Sequence, residues 1–174
     1  MERMEAQAMI ALIHAHILPA ALSLLPPEMD TPAARAMLLA IGLQESRFEH
    51  RRQVGGPARG FWQFERGGGV LGVVTHPSTK AHMDAATCAL RYDGMIRHPE
   101  DLYEAIEHND VLACVCARLL LWTVPARLSR RDESAMGWAA YLAGWRPGRP
   151  HPSTWGGYYA HAWELVEPRT PERP

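Results

Sequence analysis

Glu45 occupies a position where a charged residue needs a reason. Ala34, Met37, Leu38, Ile41, Gly42 and Phe48 recur at the spacings of one buried helical stripe, and Glu45, four residues after Ile41, shares it. A carboxylate on that side is either capped by a partner or partly desolvated, and desolvation disfavours the ionised form and raises the pKa. A carboxyl group still protonated near neutral pH can hand a proton to a glycosidic oxygen as the bond breaks, so Glu45 is a candidate general acid. The same position also suits a glutamate near a helix end that pairs with Arg47 or Arg51.

The residues that follow can hold an extended polar ligand. In "GGPARGFWQFE" the glycines allow close backbone approach, Gln63 offers a donor and an acceptor, and Phe61, Trp62 and Phe64 supply faces for sugar rings. The competing expectation is a hairpin whose aromatics complete the core. Glu65, two residues beyond Gln63, is a second carboxylate, read either as a site residue or as a surface glutamate paired with Arg59 or Arg66. Towards the other end, "AMGWAAYLAGWRPGRPHPSTWGGYY" gathers six of the chain's 14 aromatics, Trp138, Tyr141, Trp145, Trp155, Tyr158 and Tyr159, within 22 residues. Half or more of these belong in a core, and the remainder suit a cleft for a saccharide polymer.

The elements that must position these groups are helical, and no stretch alternates long enough to predict a strand. Helices are expected at about Glu5–Leu24 with a bend near Pro19, Thr31–Phe48 with Pro32 in the first turn, and Ala81–Arg97. Further helices are expected at Pro99–Glu107, Asp110–Thr123 capped by Asn109, Glu133–Leu142 and Thr154–Glu167. Residues Glu49 to Thr79, rich in glycine, form a long irregular segment with room for a small β-hairpin, and unstructured segments of that length are often functional. The fold class is therefore all-α, with residues 1–167 as one domain and 168–174 as a flexible tail.

Composition excludes several classes. With 47% hydrophobic and 21% charged residues the chain has the balance of a globular protein, and a net charge of −1 gives no field for nucleic acid or anionic lipid. Arg51-Arg52 and Arg130-Arg131 read as solvated surface. The apolar run from Met9 to Leu25 is broken by His14, His16 and Pro19 and lacks a basic flank and a cleavage site, so neither a signal peptide nor stable membrane insertion is expected. Synthesis in a cytoplasm follows as the expectation.

Cys88, Cys114 and Cys116 lack the spacing of a zinc knuckle or a disulfide framework and read as packing residues. The histidines show no metal-ligand pattern, there is no G-x-S-x-G elbow, and Asp84, Asp93 and Asp101 read as caps or surface charges. No metal and no cofactor is expected.

Three blocks in order resemble the superfamily of lysozyme-like lytic transglycosylases and goose-type lysozymes: Gln44-Glu45-Ser46 at a helix end, Gly60-Phe61-Trp62-Gln63, and Tyr141-Leu142-Ala143-Gly144. The helix "NDVLACVCARLLL" is similar to the one the family carries between its second and third blocks, and the resemblance spans about Ala34 to Leu165. It implies a lysozyme-like fold and cleavage of the β-1,4 bond between N-acetylmuramic acid and N-acetylglucosamine in peptidoglycan. By the resemblance Glu45 is the catalytic acid, Ser46 steadies it, Gln63 binds the sugar N-acetyl group or ring substituents, and Tyr141 places a hydroxyl near Glu45. Glu65 corresponds to an aspartate that helps position a water in goose-type lysozymes, which would favour hydrolysis over closure of an anhydro ring.

Two departures stand out: Leu142 replaces the family's usual asparagine, and Phe61-Trp62 replaces its usual Leu-Met. The expected partners are peptidoglycan glycan strands, met by a monomer or a part of a virion, and the expected setting is a bacteriophage lysis or entry enzyme acting on the cell wall. A non-catalytic saccharide-binding or virion protein of the same fold is the alternative, with a helical partner-binding protein as a third reading.

Overall fold

The computed structural model describes residues 2–92 and 94–168. Asp93 and the expected tail from residue 169 onward lie outside them. The described chain is mainly helical, as the periodicity predicts. Its helices are α1 (Glu2–Leu12), α2 (Leu18–Leu22), α3 (Pro32–Glu45), α4 (Leu71–Thr75), α5 (Lys80–Ala89), α6 (Pro99–His108), α7 (Asp110–Trp122), α8 (Ser134–Trp145) and α9 (Pro152–Val166).

α1 and α2 form one rod joined by a π-helical turn at Ile13–Ile17, where the Leu18 amide reaches back five residues to the Ile13 carbonyl. The wide turn falls just before Pro19, which has no amide to give, and so takes up the expected bend. α3 starts as predicted: the Thr31 side chain accepts from the Ala34 amide at 3.1 Å, with Pro32 at the first helical position. Asn109 caps α7 in the same way, accepting from Leu112 at 3.0 Å, and Asp101 closes a capping box on α6.

α7 is the central helix, touching α2, α3, α4, α5, α6 and α8. Residues Leu112 to Leu121 are buried all round it, which accounts for the inert burial of Cys114 and Cys116. Arg118, also buried on α7, satisfies Nε on the Met29 carbonyl at 2.8 Å and lies over the Trp122 ring. α9 packs along α3, and one buried cluster runs from Ile13 to Trp163.

Four expectations are corrected. The irregular segment is shorter than 49–79, because Arg66–Val70 makes a π-helical turn that leads into α4. The hairpin is reduced to two isolated antiparallel bridges, Arg52 with Arg59 and Arg59 with Phe64, and there is no strand among the described residues. α5 ends at Ala89 instead of Arg97: Arg91 turns left-handed at φ 66°, and the bonds Tyr92 N–H to Thr87 O and Arg91 N–H to Cys88 O close a Schellman motif. The signal was hidden because arginine holds the place glycine usually takes. Cys88 is exposed on α5 and is not a packing residue.

Candidate active site

Glu45 is the last residue of α3, and the chain turns sharply behind it. Ser46 is the C-cap, and Arg47 and Phe48 follow at φ 53° and 59°, a conformation non-glycine residues adopt at a cost. What holds it is packing. Phe48 folds back under α3 against Gly42, where an added Cβ would lie 2.2 Å from the ring, and it meets Phe61 and Trp62 edge-on at 5.6 and 5.7 Å. Ser46 Oγ donates to the Phe61 carbonyl at 2.6 Å and accepts from the Phe48 amide at 3.1 Å. One hydroxyl therefore ties the helix end to the following loop.

The loop is closed at its neck by Arg59 and Phe64, which exchange both backbone hydrogen bonds around Gly60-Phe61-Trp62-Gln63. Gly60 adopts φ 70°, and a Cβ there would lie 3.1 Å from the Ile106 carbonyl, so both backbone and space demand glycine. Trp62 Nε1 donates to the Leu38 carbonyl of α3 at 2.8 Å, and Trp145 Nε1 of α8 donates to the Trp62 carbonyl at 2.9 Å. α3, the loop and α8 are thus clamped together through two indoles.

Across this clamp Tyr141 Oη donates to Glu45 Oε1 at 2.6 Å. The phenol is backed by a column of rings: Tyr141 stacks on Trp155 at 5.5 Å and 16°, and Trp155 leads on to Tyr159 and Trp163. Gly137 lets α8 approach that column, since a Cβ there would meet the Tyr159 ring at 2.7 Å.

Glu45 has its pKa raised to about 7, first by burial and further by the charge of Glu65, against the opposing pull of the Tyr141 hydrogen bond. Burial and the Glu45 carboxylate push the Tyr141 phenol well above its ordinary value, so it remains a donor. The pairings that would have made Glu45 ordinary are absent among the described residues: Arg51 is bound to Asp110 at 2.7 Å, and Arg47 makes no ion pair. Glu65 is exposed and also makes no ion pair among the described residues, because Arg59 is engaged by Glu107 at 2.7 Å and Arg66 by Glu100 at 2.6 Å.

These groups line an open cleft of about 600 Å³ that contains Glu45, Gln63, Glu65, Phe64, Tyr141 and Trp145, with Arg146, Arg149 and His151 along one wall. Gln63, itself at φ 50°, spends its amide nitrogen on the Gly60 and His50 carbonyls at 2.8 and 3.3 Å, which turns its oxygen the other way. It offers an acceptor rather than the donor and acceptor expected.

The structure brings together Glu45, Gln63, Glu65 and Tyr141, with Phe64 beside them, and separates Ser46, Phe61 and Trp62 from the cleft. Phe61 and Trp62, expected as faces for sugar rings, are completely buried and act by fixing the loop. Ser46 acts from behind the cleft. Leu142 packs against the core and does not line it. Sequence reading missed Trp145 as a tether and the basic wall, although "WRPGRPH" between two helices is legible as a cationic turn.

No group of three or more His, Cys, Asp or Glu among the described residues could hold a metal ion, and no described helix is long and apolar enough to cross a membrane. No protein-family model, curated protein or solved structure matches the chain.

Proposed function

We propose that this protein is a lysozyme-like peptidoglycan lytic transglycosylase, cleaving the β-1,4 bond between N-acetylmuramic acid and N-acetylglucosamine with Glu45 as general acid and base. The observation that carries this reading is a partly buried carboxyl group at the floor of an open cleft, held near pKa 7 and bonded to one phenol. Such a group is half protonated at neutral pH, the condition for both giving and taking a proton.

Tyr141 occupies Oε1, so Oε2 carries the mobile proton. Glu45 gives that proton to the glycosidic oxygen as the bond to C1 of the muramic acid breaks, and positive charge develops on the ring. The resulting carboxylate stabilises that charge and then takes the proton of the 6-hydroxyl as O6 closes on C1. The product is a 1,6-anhydro end, and Glu45 returns protonated. Gln63 and the Trp145 side of the cleft orient the strand.

Glu65 favours a second outcome. Its exposed carboxylate faces the same cleft, where it can orient a water for attack at C1 and yield a reducing end, as a muramidase would. A binding protein of the same fold would use the cleft without turnover. The test is release of soluble fragments from dye-labelled, insoluble peptidoglycan: wild type releases dye and Glu45→Gln, folded by circular dichroism, does not. Tight binding to the wall without release by wild type would favour the non-catalytic reading.

A further inference from the structure

The basic wall of the cleft is a built feature. Arg146, Arg149 and His151 belong to the turn between α8 and α9, and that turn is fastened at both ends to the segments that carry the candidate chemistry. At its start, Trp145 holds the Trp62 carbonyl at 2.9 Å, next to Gln63. At its end, Gln44, the neighbour of Glu45, donates from its amide to the His151 carbonyl at 3.1 Å and accepts from the Thr154 hydroxyl at 3.0 Å. Arg146 sits in the left-handed region at φ 49°, the reversal that ends α8 and begins this wall.

The arginines of this wall differ from seven others in the molecule. Arg35, Arg51, Arg52, Arg59, Arg66, Arg127 and Arg131 are each bound to a carboxylate. Arg146 and Arg149, exposed beside the cleft, make no ion pair among the described residues, although the cleft also holds Glu65. Two exposed guanidinium groups on a pinned turn, with no carboxylate partner among the described residues and an imidazole beside them, suit a carboxylate that arrives with the substrate.

This rests on the proposed glycan-strand reading and extends it to what the strand carries. In peptidoglycan the carboxylates are borne by the peptide stem attached to the lactyl group of muramic acid, the sugar whose C1 lies at the scissile bond. We infer that the 146–151 turn binds the carboxylates of that stem and makes the enzyme selective for peptide-bearing over bare glycan strands.

The test uses the full chain on two substrates: uncross-linked strands bearing peptide stems, and the same strands stripped of peptide by an amidase, with the lactyl carboxylates so exposed capped as neutral amides. Wild type is expected to cleave the peptide-bearing strands several-fold more efficiently, with the difference in KM and shrinking as salt rises from 50 to 300 mM, as expected for about two exposed charge contacts. Arg146→Asn/Arg149→Ala, in which asparagine tolerates the left-handed backbone, is expected to bring the ratio near one, and Arg149→Lys to recover part of it. Equal cleavage of both substrates by wild type, or a preference that survives in the double variant, overturns the inference and leaves the glycan-cleaving reading intact. Cleavage of neither substrate removes that reading, and the inference with it.

Discussion

Tyr141 donates a 2.6 Å hydrogen bond to Glu45 from a helix 96 residues further along the chain, and this contact defines the candidate site. Burial raises the pKa of the carboxyl group while the phenol restrains the rise, so the value of about 7 is a balance of two structural choices. Changing either partner should move it in a known direction.

The rate should fall as pH rises through about 7, where Glu45 loses the proton it must donate. In Tyr141→Phe the bond that favours the charged form is gone, so the pKa rises and the alkaline limb moves upward. A hydrogen bond to a charged group is worth about 1.5–3 kcal/mol, which corresponds to about 1–2 pH units. A pH profile of kcat/KM for both proteins checks this, and an unmoved limb would show that Glu45 is not the group titrating.

Stability should carry the same signature. The pKa of Glu45 is raised on folding from 4.5 to about 7, so the folded state bears no penalty below pH 4.5. The penalty grows as pH rises from there, reaching about 3 kcal/mol above pH 7 at roughly 1.4 kcal/mol per unit of pKa. Glu45→Gln keeps an oxygen for Tyr141 without the charge, so it should be more stable than wild type at pH 8 and close to it at pH 4. Urea titrations at the two pH values measure the difference.

Glu65→Gln removes a negative charge that raises the Glu45 pKa, so the alkaline limb should shift downward. If Glu65 also orients a water, the variant should release a smaller share of reducing ends relative to anhydro ends. An unchanged product ratio together with a shifted limb would assign Glu65 an electrostatic part only.

Gly42→Ala tests how the helix end is built. The new methyl group would lie 2.2 Å from the buried Phe48 ring, which is wedged between Phe61 and Trp62 and has little room to retreat. Overpacking of this kind costs about 1–3 kcal/mol, and thermal melts should show it. Activity should fall as well, because the displaced ring disturbs the Ser46 tie to the loop.

Much of this site is legible in the sequence, for reasons that can be separated. Glu45 is legible because a carboxylate in an apolar helical stripe is a local anomaly, and the α3 and α7 caps are legible because Thr31 and Asn109 have strong local preferences. Phe61 and Trp62 misled because an aromatic beside a polar site looks alike whether it lines the cleft or supports it. Only the tertiary contacts to Leu38 and Phe48 decide. The left-handed residues Arg47, Phe48, Gln63, Arg91 and Arg146 were invisible because none is glycine; packing holds Phe48, while local bonds at the helix ends accompany Arg91 and Arg146.

The measurement closest to the central claim is mass spectrometry of the soluble fragments that wild type and Glu45→Gln release from purified peptidoglycan. Fragments ending in 1,6-anhydro-muramic acid, one water lighter than hydrolysed ones, from wild type and none from Glu45→Gln are the predicted result. No fragments from wild type on several wall types, or equal release by both proteins with folding verified, would contradict the assignment of Glu45 as the group that breaks the glycan strand.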